Sequence, residues 1–360
     1  MSRIYLAGAG SGKTTFLLDL AVRFEGSVLY TTFTDENIDV AKDMLIGCHG
    51  CMPANITLLP WFSLLLEHGV RPFQGSMGFR ETSFVGVNLN PEGINYNARP
   101  SLGYFCDSSN AVYAAKLPEL TLLCNEASGG SVFDRLLSLY DLVLIDEAQD
   151  LASYDFDFVA ELIKNGMEII LCGDKRQATY RTNHGKKHGN KDFPQFLVDS
   201  KLDSLCPIDA ETLNGSHRCS SKVIGFANLL YPDMPATESL RDSSDGEQSG
   251  VWLVPSSLAS NYVESVNPVV LRDRASEKTV SASAIMNFGK SKGRTYDDVL
   301  IYPVSGIKNW LLDNSVQLKP RTRSRFYVAI TRARNSVGIV VPDSEILRYP
   351  TVYKRWASCS

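Results

Sequence analysis

Between Ala7 and Thr15 the chain reads Ala-Gly-Ala-Gly-Ser-Gly-Lys-Thr-Thr, a run of small residues closed by one cation and two hydroxyls. That pattern suits the binding of a polyphosphate. Without side chains at Gly8, Gly10 and Gly12, the backbone can wrap a β-phosphate and point its N–H groups inward, helped by the partial positive charge of a helix N-terminus. Lys13 can then reach the β- and γ-phosphates, and the Thr14 hydroxyl can ligate Mg²⁺. The strict G-x-x-x-x-G-K-T spacing asks for glycine at position 7, and Ala7 keeps the turn nearly as clear. A second chemical group is Asp146-Glu147-Ala148-Gln149-Asp150, at the end of the apolar run Tyr140 to Ile145. Asp146 suits a metal, directly or through water, and Glu147 suits the proton of an attacking water. Gln177, which follows Gly173-Asp174, is spaced to sense a γ-phosphate or orient that water.

These groups need strands that end together and helices that begin there. The apolar stretch from Ile4 reads as a strand, and Phe16 to Phe24 as the helix after the glycine turn. Ser27 to Thr34 reads as a β-rich strand, and Asp35 to Leu45 as a helix capped by Thr34 or Asp35. At that strand end Thr32, Phe33 and Thr34 either lay hydroxyls on phosphates and a ring on a base, or form an ordinary strand end. Residues 56 to 68 are apolar and carry Trp61 and Phe62. Residues 71 to about 115 are rich in Gly, Asn, Pro and Ser, so 71–130 is expected to hold an insertion or irregular excursion. Met167 to Cys172 is another buried strand. The segment Arg181 to Lys191, with Lys186 and Lys187, is either a solvated loop or a contact to a phosphate backbone.

The pattern restarts near Leu205, giving expected domains of 1–204 and 205–360. In the second, strands are expected at Val251–Val254, Pro268–Arg272, Val299–Tyr302 and Val337–Val341. Arg332 falls on what reads as an otherwise apolar helix, an odd place for a cation unless it faces a phosphate.

Composition bounds the rest. A length of 360 residues exceeds one ordinary core, and 44% hydrophobic with 21% charged residues is the balance of a soluble globular chain. No apolar run reaches the 18 or so residues of a membrane span, and the first strand starts too early for a signal peptide, so a cytoplasmic protein with no membrane partner is expected. The eight cysteines are scattered, which suits a reducing compartment. Cys48-His49-Gly50-Cys51 reads as a reduced turn rather than a zinc site. A net charge of −4 means that any nucleic-acid surface must be local.

Taken in order, these motifs resemble the UvrD/Rep-like branch of superfamily 1 helicases, from Leu6 to about Val341. The carriers are Ala7 to Thr15, Thr32-Phe33-Thr34, Asp146 to Asp150, Gly173-Asp174 with Gln177 and Tyr180, Arg218, Lys292-Gly293, and Val328 to Ala333. The resemblance implies an α/β fold with two tandem RecA-like P-loop NTPase domains built on parallel sheets. It implies ATP and Mg²⁺ as cofactors, with nucleotide contacts from Gly8, Gly10, Ser11, Gly12, Lys13, Thr14, Thr15, His217 and Gly293. It makes Thr14 and Asp146 the metal residues and Lys13, Glu147, Gln177, Arg218 and Arg332 the catalytic ones. Single-stranded nucleic acid, DNA ahead of RNA, is the implied partner, contacted by Thr32, Phe33, Thr34, Trp61, Tyr180, Lys186 and Lys187.

Several departures modify that expectation. His217 stands where the family has tyrosine, and Thr182 where it has an aromatic. Arg294 and Thr295 follow Gly293 where it has glutamate. No glutamine-containing adenine-reading segment precedes the first strand, and the stretch between Ala227 and Ser281 is too short for the family's large second insertion. The leading expectation is an ATP-dependent helicase or single-strand translocase. The alternative is a nucleotide-gated switch or effector subunit, for example of a nuclease-containing complex, that unwinds little or nothing.

Overall fold

The structure is a computed structural model that describes the chain except residues 80–81, 91, 93, 95–100, 178–192, 242–248 and 358–360. The chain forms two compact units. One comprises Met1–Leu6 and Lys13–Thr212, the other Ala7–Gly12 and Leu213–Ser360.

The first unit is built on β1 (Arg3–Leu6), β2 (Val28–Thr32), β3 (Ile56–Pro60), β4 (Gly86–Asn88), β5 (Ala111–Tyr113), β6 (Leu142–Ile145), β7 (Glu168–Gly173) and β8 (Ile208–Asp209). Six of these form one parallel sheet in the order β3-β2-β6-β7-β1-β8, and β4 and β5 pair separately. Every residue of β2 and β6 is buried, as expected of parallel strands covered on both faces, which is why they read as continuous apolar runs. Because all six strands run the same way, their C-terminal ends lie along one edge. The glycine turn leaves β1 there, and Phe33, Asp146 and Asp174 follow β2, β6 and β7. The edge of a parallel sheet is where ligands of such folds bind.

Two sequence expectations need correction here. The excursion is shorter than 71–130, because Leu117–Ala127 is a regular helix whose Leu117, Leu120 and Cys124 are fully buried in the unit's core. Their i, i+3, i+7 spacing, with Pro118 in the first turn, is an amphipathic helix signature that the composition of the preceding residues obscured. Burial of each such leucine contributes roughly 1.5–3 kcal/mol. The first unit also runs past position 204, because β8 pairs with β1 through Ile4–Ile208 and Tyr5–Asp209. A two-residue strand carries no periodicity to read.

The helix Asp35–His49 is capped by Thr34, whose Oγ1 accepts from the backbone N–H of Asn37 at 3.3 Å. It ends at Gly50, whose φ of 73° only glycine adopts cheaply. Cys48 and Cys51 flank that turn, both exposed and both free thiols.

The second unit contains β9 (Gly215–Ser216), β10 (Glu238–Ser239), β11 (Gly250–Pro255), β12 (Val269–Arg272), β13 (Ile285–Asn287), β14 (Tyr296–Tyr302), β15 (Ala333–Val341) and β16 (Lys354–Arg355). Its sheet is also six-stranded and all parallel, ordered β13-β12-β14-β15-β11-β16. Phe226, Trp310 and Phe326 stack edge-on from three different helices in its core. The fold is therefore α/β with two parallel six-stranded sheets, as expected of two RecA-like domains.

Candidate active site

The glycine turn has the backbone its composition predicts. Gly10 and Gly12 take φ of 73° and 80°, the left-handed region that side chains disfavour. A Cβ on Gly10 would lie 2.6 Å from Cβ of Arg218 and 2.8 Å from Oγ of Ser216, so close approach adds a second reason for glycine. The turn is pinned by two backbone bonds, Gly8 N–H to the Leu213 carbonyl and His217 N–H to the Gly10 carbonyl, both at 2.9 Å. His217 therefore meets the turn through its backbone, while its side chain is exposed. Ser11 Oγ is buried with no hydrogen-bond partner among the described residues. A buried hydroxyl left without a partner beside this glycine turn fits a bound phosphate.

In the first unit, Lys13, Thr14, Asp146 and Glu147 form one cluster. Thr14 Oγ1 donates to Asp146 Oδ2 at 2.6 Å, and Lys13 Nζ lies 3.9 Å from Glu147 Oε1. Tyr30, on β2 beside β6, donates its hydroxyl to the same Asp146 Oδ2 at 2.9 Å, and the Glu147 N–H donates to Oδ1 at 2.8 Å. Burial pushes the Asp146 carboxyl up and the neighbouring Glu147 charge adds to this, while Lys13, Thr14 and Tyr30 pull it back. Burial first, then Asp146, pushes the Tyr30 hydroxyl well above its ordinary range, so it remains a donor. Cys172 on β7 is also pushed well up, chiefly by burial, and is an unreactive thiol. Glu147 occupies the left-handed region at φ 53°, ψ 41°, a strained position for a non-glycine residue that costs on the order of 1–3 kcal/mol. Strain of this kind concentrates at functional sites.

A chain of hydrogen bonds connects Glu147 to the end of β7. Gln149 Nε2 donates to Glu147 Oε2 at 2.5 Å, and Gln149 Oε1 accepts from the Asp174 N–H at 2.9 Å. Asp174 Oδ2 then accepts from Gln177 Nε2 at 2.8 Å. Gln177 is thus buried with its amide on Asp174, three hydrogen bonds from Glu147. Tyr30 was not among the residues singled out from sequence, since a strand tyrosine carries no signal by itself, and Asp174 stood out only as part of the Gly173-Asp174 motif, with no role assigned.

In the second unit, Arg332 does not lie on a helix. The helix Pro320–Ile330 stops where the Thr331 hydroxyl bonds back to the Tyr327 carbonyl at 2.8 Å, and Arg332 occupies the turn before β15. It is 2% exposed, and its guanidinium donates to the carbonyls of Val328 and Arg294, each at 3.1 Å. Arg218 Nη1 donates to the Thr331 carbonyl at 3.2 Å. Both cations thus meet the carbonyl-rich end of one helix, where positive charge is favoured. Gly293, at φ 80°, makes the turn that brings the Arg294 carbonyl to Arg332.

Residues expected to contact nucleic acid divide. Phe33 is half-buried, edge-on to Phe62 at 4.9 Å, at the sheet's C-terminal edge. Thr32 is buried, its Oγ1 accepting from Asn37 Nδ2 at 3.3 Å, and Thr34 is the helix cap described above. Trp61 is a correction: at 1% exposure it is a core residue, edge-on to Phe158 at 5.9 Å, and cannot stack on a base. Tyr180, Lys186 and Lys187 lie outside the described residues.

The Trp61 indole donates to Asp155 Oδ1 at 2.7 Å, and the Ala152 N–H donates to Oδ2 at 2.8 Å. Burial pushes the Asp155 carboxyl up to about 7 despite those two bonds. A raised folded-state value means that the folded protein holds the proton more tightly than the unfolded chain. This contribution to stability is complete below the unfolded value of about 4 and is lost as pH rises through 7. Denaturant unfolding at pH 5 and pH 8 should show a fall in stability that is reduced in Asp155→Asn. An equal fall in both proteins would remove Asp155 as its source.

No curated protein matches the chain by sequence. Residues 106–195 match the UvrD/REP helicase N-terminal domain family. Among solved structures the chain is similar to the arterivirus nonstructural protein 10 helicase, at 14% identity over 95% of this chain and 60% of that one, with a TM-score of 0.49. It is similar to the PRRSV helicase at 16% identity, over 97% of this chain and 54% of that one, with a TM-score of 0.47. The arterivirus helicase solved in complex with DNA gives 14% identity, 95% and 62% coverage, and a TM-score of 0.47. The chain therefore spans less than two thirds of the length of these helicases. Asp146, Glu147, Gln149 and Gln177 lie inside the stretch that matches the UvrD/REP helicase N-terminal domain family.

Proposed function

We propose that the protein hydrolyses a nucleoside triphosphate, ATP in the first instance, and couples hydrolysis to movement on single-stranded nucleic acid, DNA ahead of RNA. The observation that carries this reading is the Lys13–Thr14–Asp146–Glu147 cluster, together with the positive φ of Gly10 and Gly12 just before Lys13 in the sequence. Gly10, Ser11, Gly12, Lys13 and Thr14 hold the phosphates. Thr14 and Asp146 hold the Mg²⁺, which when bound neutralises charge on the β- and γ-phosphates. Glu147 takes the proton of the attacking water, oriented through Gln149, Asp174 and Gln177. Arg218 and Arg332 supply positive charge to the transferred phosphoryl group.

Thr182, at a position where the resembling family has a base-stacking aromatic, supports a second reading, a nucleotide-gated switch that controls a partner such as a nuclease. ATPase assays with and without single- and double-stranded DNA and RNA separate the two. Stimulation by single strands supports the motor, and a basal rate that ignores every nucleic acid supports the switch. Base stacking contributes on the order of 1–3 kcal/mol per base, so grip should rest mainly on phosphate contacts and fall steeply with salt. Single strands should therefore stimulate the ATPase while the monomer separates long duplexes poorly. Processive unwinding of a long tailed duplex by monomer alone would contradict that expectation.

A further inference from the structure

The metal-binding carboxylate has a partner that no motif assigns. Tyr30 lies within β2 with no solvent exposure, and its neighbour across the sheet is Leu144 of β6, two residues before Asp146. Its hydroxyl and that of Thr14 converge on one oxygen, Asp146 Oδ2, at 2.9 and 2.6 Å. The other oxygen, Oδ1, accepts from the Glu147 N–H at 2.8 Å. A carboxylate offers about four lone-pair sites, two on each oxygen. Two donors occupy both sites of Oδ2, and one donor occupies one site of Oδ1. Among the described residues, a single direction, on Oδ1, is left for a cation or a water of its shell. Thr14, while donating to Oδ2, keeps its own lone pairs for the same cation.

Resting on the nucleotide-hydrolysing reading above, we propose that Tyr30 is a positioning residue for the metal: its hydroxyl occupies Asp146 Oδ2 and so forces a one-oxygen approach that favours Mg²⁺ over larger divalent cations. The chemistry of the two ions gives the reason. Mg²⁺ requires near-ideal octahedral geometry and takes carboxylates through one oxygen, whereas Ca²⁺ accepts bidentate carboxylates and irregular shells. If the Tyr30 hydroxyl is removed, a site on Oδ2 opens and the carboxylate is free to turn or chelate. Mg²⁺ loses its defined approach, and Ca²⁺ loses nothing.

The test uses the full chain and a fluorescent ATP analogue, titrated without divalent cation and then with Mg²⁺ or Ca²⁺, in wild type and in Tyr30→Phe. The Phe variant should bind the analogue within about twofold of wild type when no cation is present. Its half-saturating Mg²⁺ concentration should rise about fivefold, the usual effect of one hydrogen bond, while its Ca²⁺ requirement stays level or falls. An unchanged Mg²⁺ requirement overturns the proposal. So does a parallel loss with Mg²⁺, Ca²⁺ and no cation, since that is the mark of a purely structural hydroxyl. The titrations are repeated in trimethylamine N-oxide, which favours the compact state, so that a loosened variant does not mimic weak metal binding. If wild type binds no analogue under any condition, the nucleotide reading itself fails, a result distinct from any difference between the two proteins.

Discussion

Glu147→Gln should bind ATP with Mg²⁺ about as well as wild type and hydrolyse it about 10²- to 10⁴-fold more slowly. The amide keeps the shape of the side chain and an oxygen that can still accept from Gln149 Nε2, so the chain of bonds through Asp174 to Gln177 survives. It cannot accept a proton. The left-handed backbone at 147 is retained as well, because a glutamine there meets the same steric cost as the glutamate. Single-turnover hydrolysis beside an equilibrium binding measurement separates the two quantities. Wild-type turnover in this variant would remove Glu147 from the proton-transfer step. A parallel loss of binding would instead point to its 3.9 Å contact with Lys13, which holds that cation in place.

Arg332→Lys should lower turnover by roughly 10³-fold or more, the scale of an arginine that bears charge on a transferred phosphoryl group, while nucleotide affinity changes only a few-fold. Lysine offers a single charged nitrogen. In wild type, Nε and Nη1 of Arg332 donate to the Val328 and Arg294 carbonyls, which fixes the plane of the guanidinium. A lysine ammonium cannot satisfy both carbonyls and present a fork to a phosphate. Arg218→Lys should behave in the same direction. Thermal unfolding run alongside the kinetics separates loss of charge from loss of packing around this buried side chain. A folded protein with normal turnover after both replacements would place the charge-bearing groups elsewhere.

Much of this was legible in the sequence because the relevant signals are local. The glycine turn, the apolar run before Asp146 and the cap at Thr34 each depend on residues within one turn or strand. What was not legible depends on partners far along the chain. Tyr30 reads as a strand residue until β2 is placed beside β6, more than a hundred positions later, where its hydroxyl meets Asp146. Trp61 looked available for a base because an aromatic in an apolar run gives no sign of which face it occupies, and Asp155 claims its indole from ninety-four positions away. Arg332 reads as helical in the sequence because Phe326 to Ile330 carries no stop signal. Only the Thr331 hydroxyl, turned back on Tyr327, ends the helix. The short β8 could not be seen at all, and with it went the position of the division at Thr212.

The place of β1 in its sheet also sets the order in which a ribosome can deliver the fold. Among the described residues, Arg3–Leu6 pairs with Glu168–Gly173 and Ile208–Asp209, both far later in the chain. At synthesis rates of about 5–20 residues per second, its earliest partner emerges on the order of ten seconds or more after it does. During that interval Val28–Thr32 can already align with Ile56–Pro60, while the segment that will carry the phosphate-binding turn has no strand to join. The nascent chain therefore carries an unpaired apolar strand until those partners are made. The turn that follows β1 is thus made well before the strands that hold β1 in its sheet.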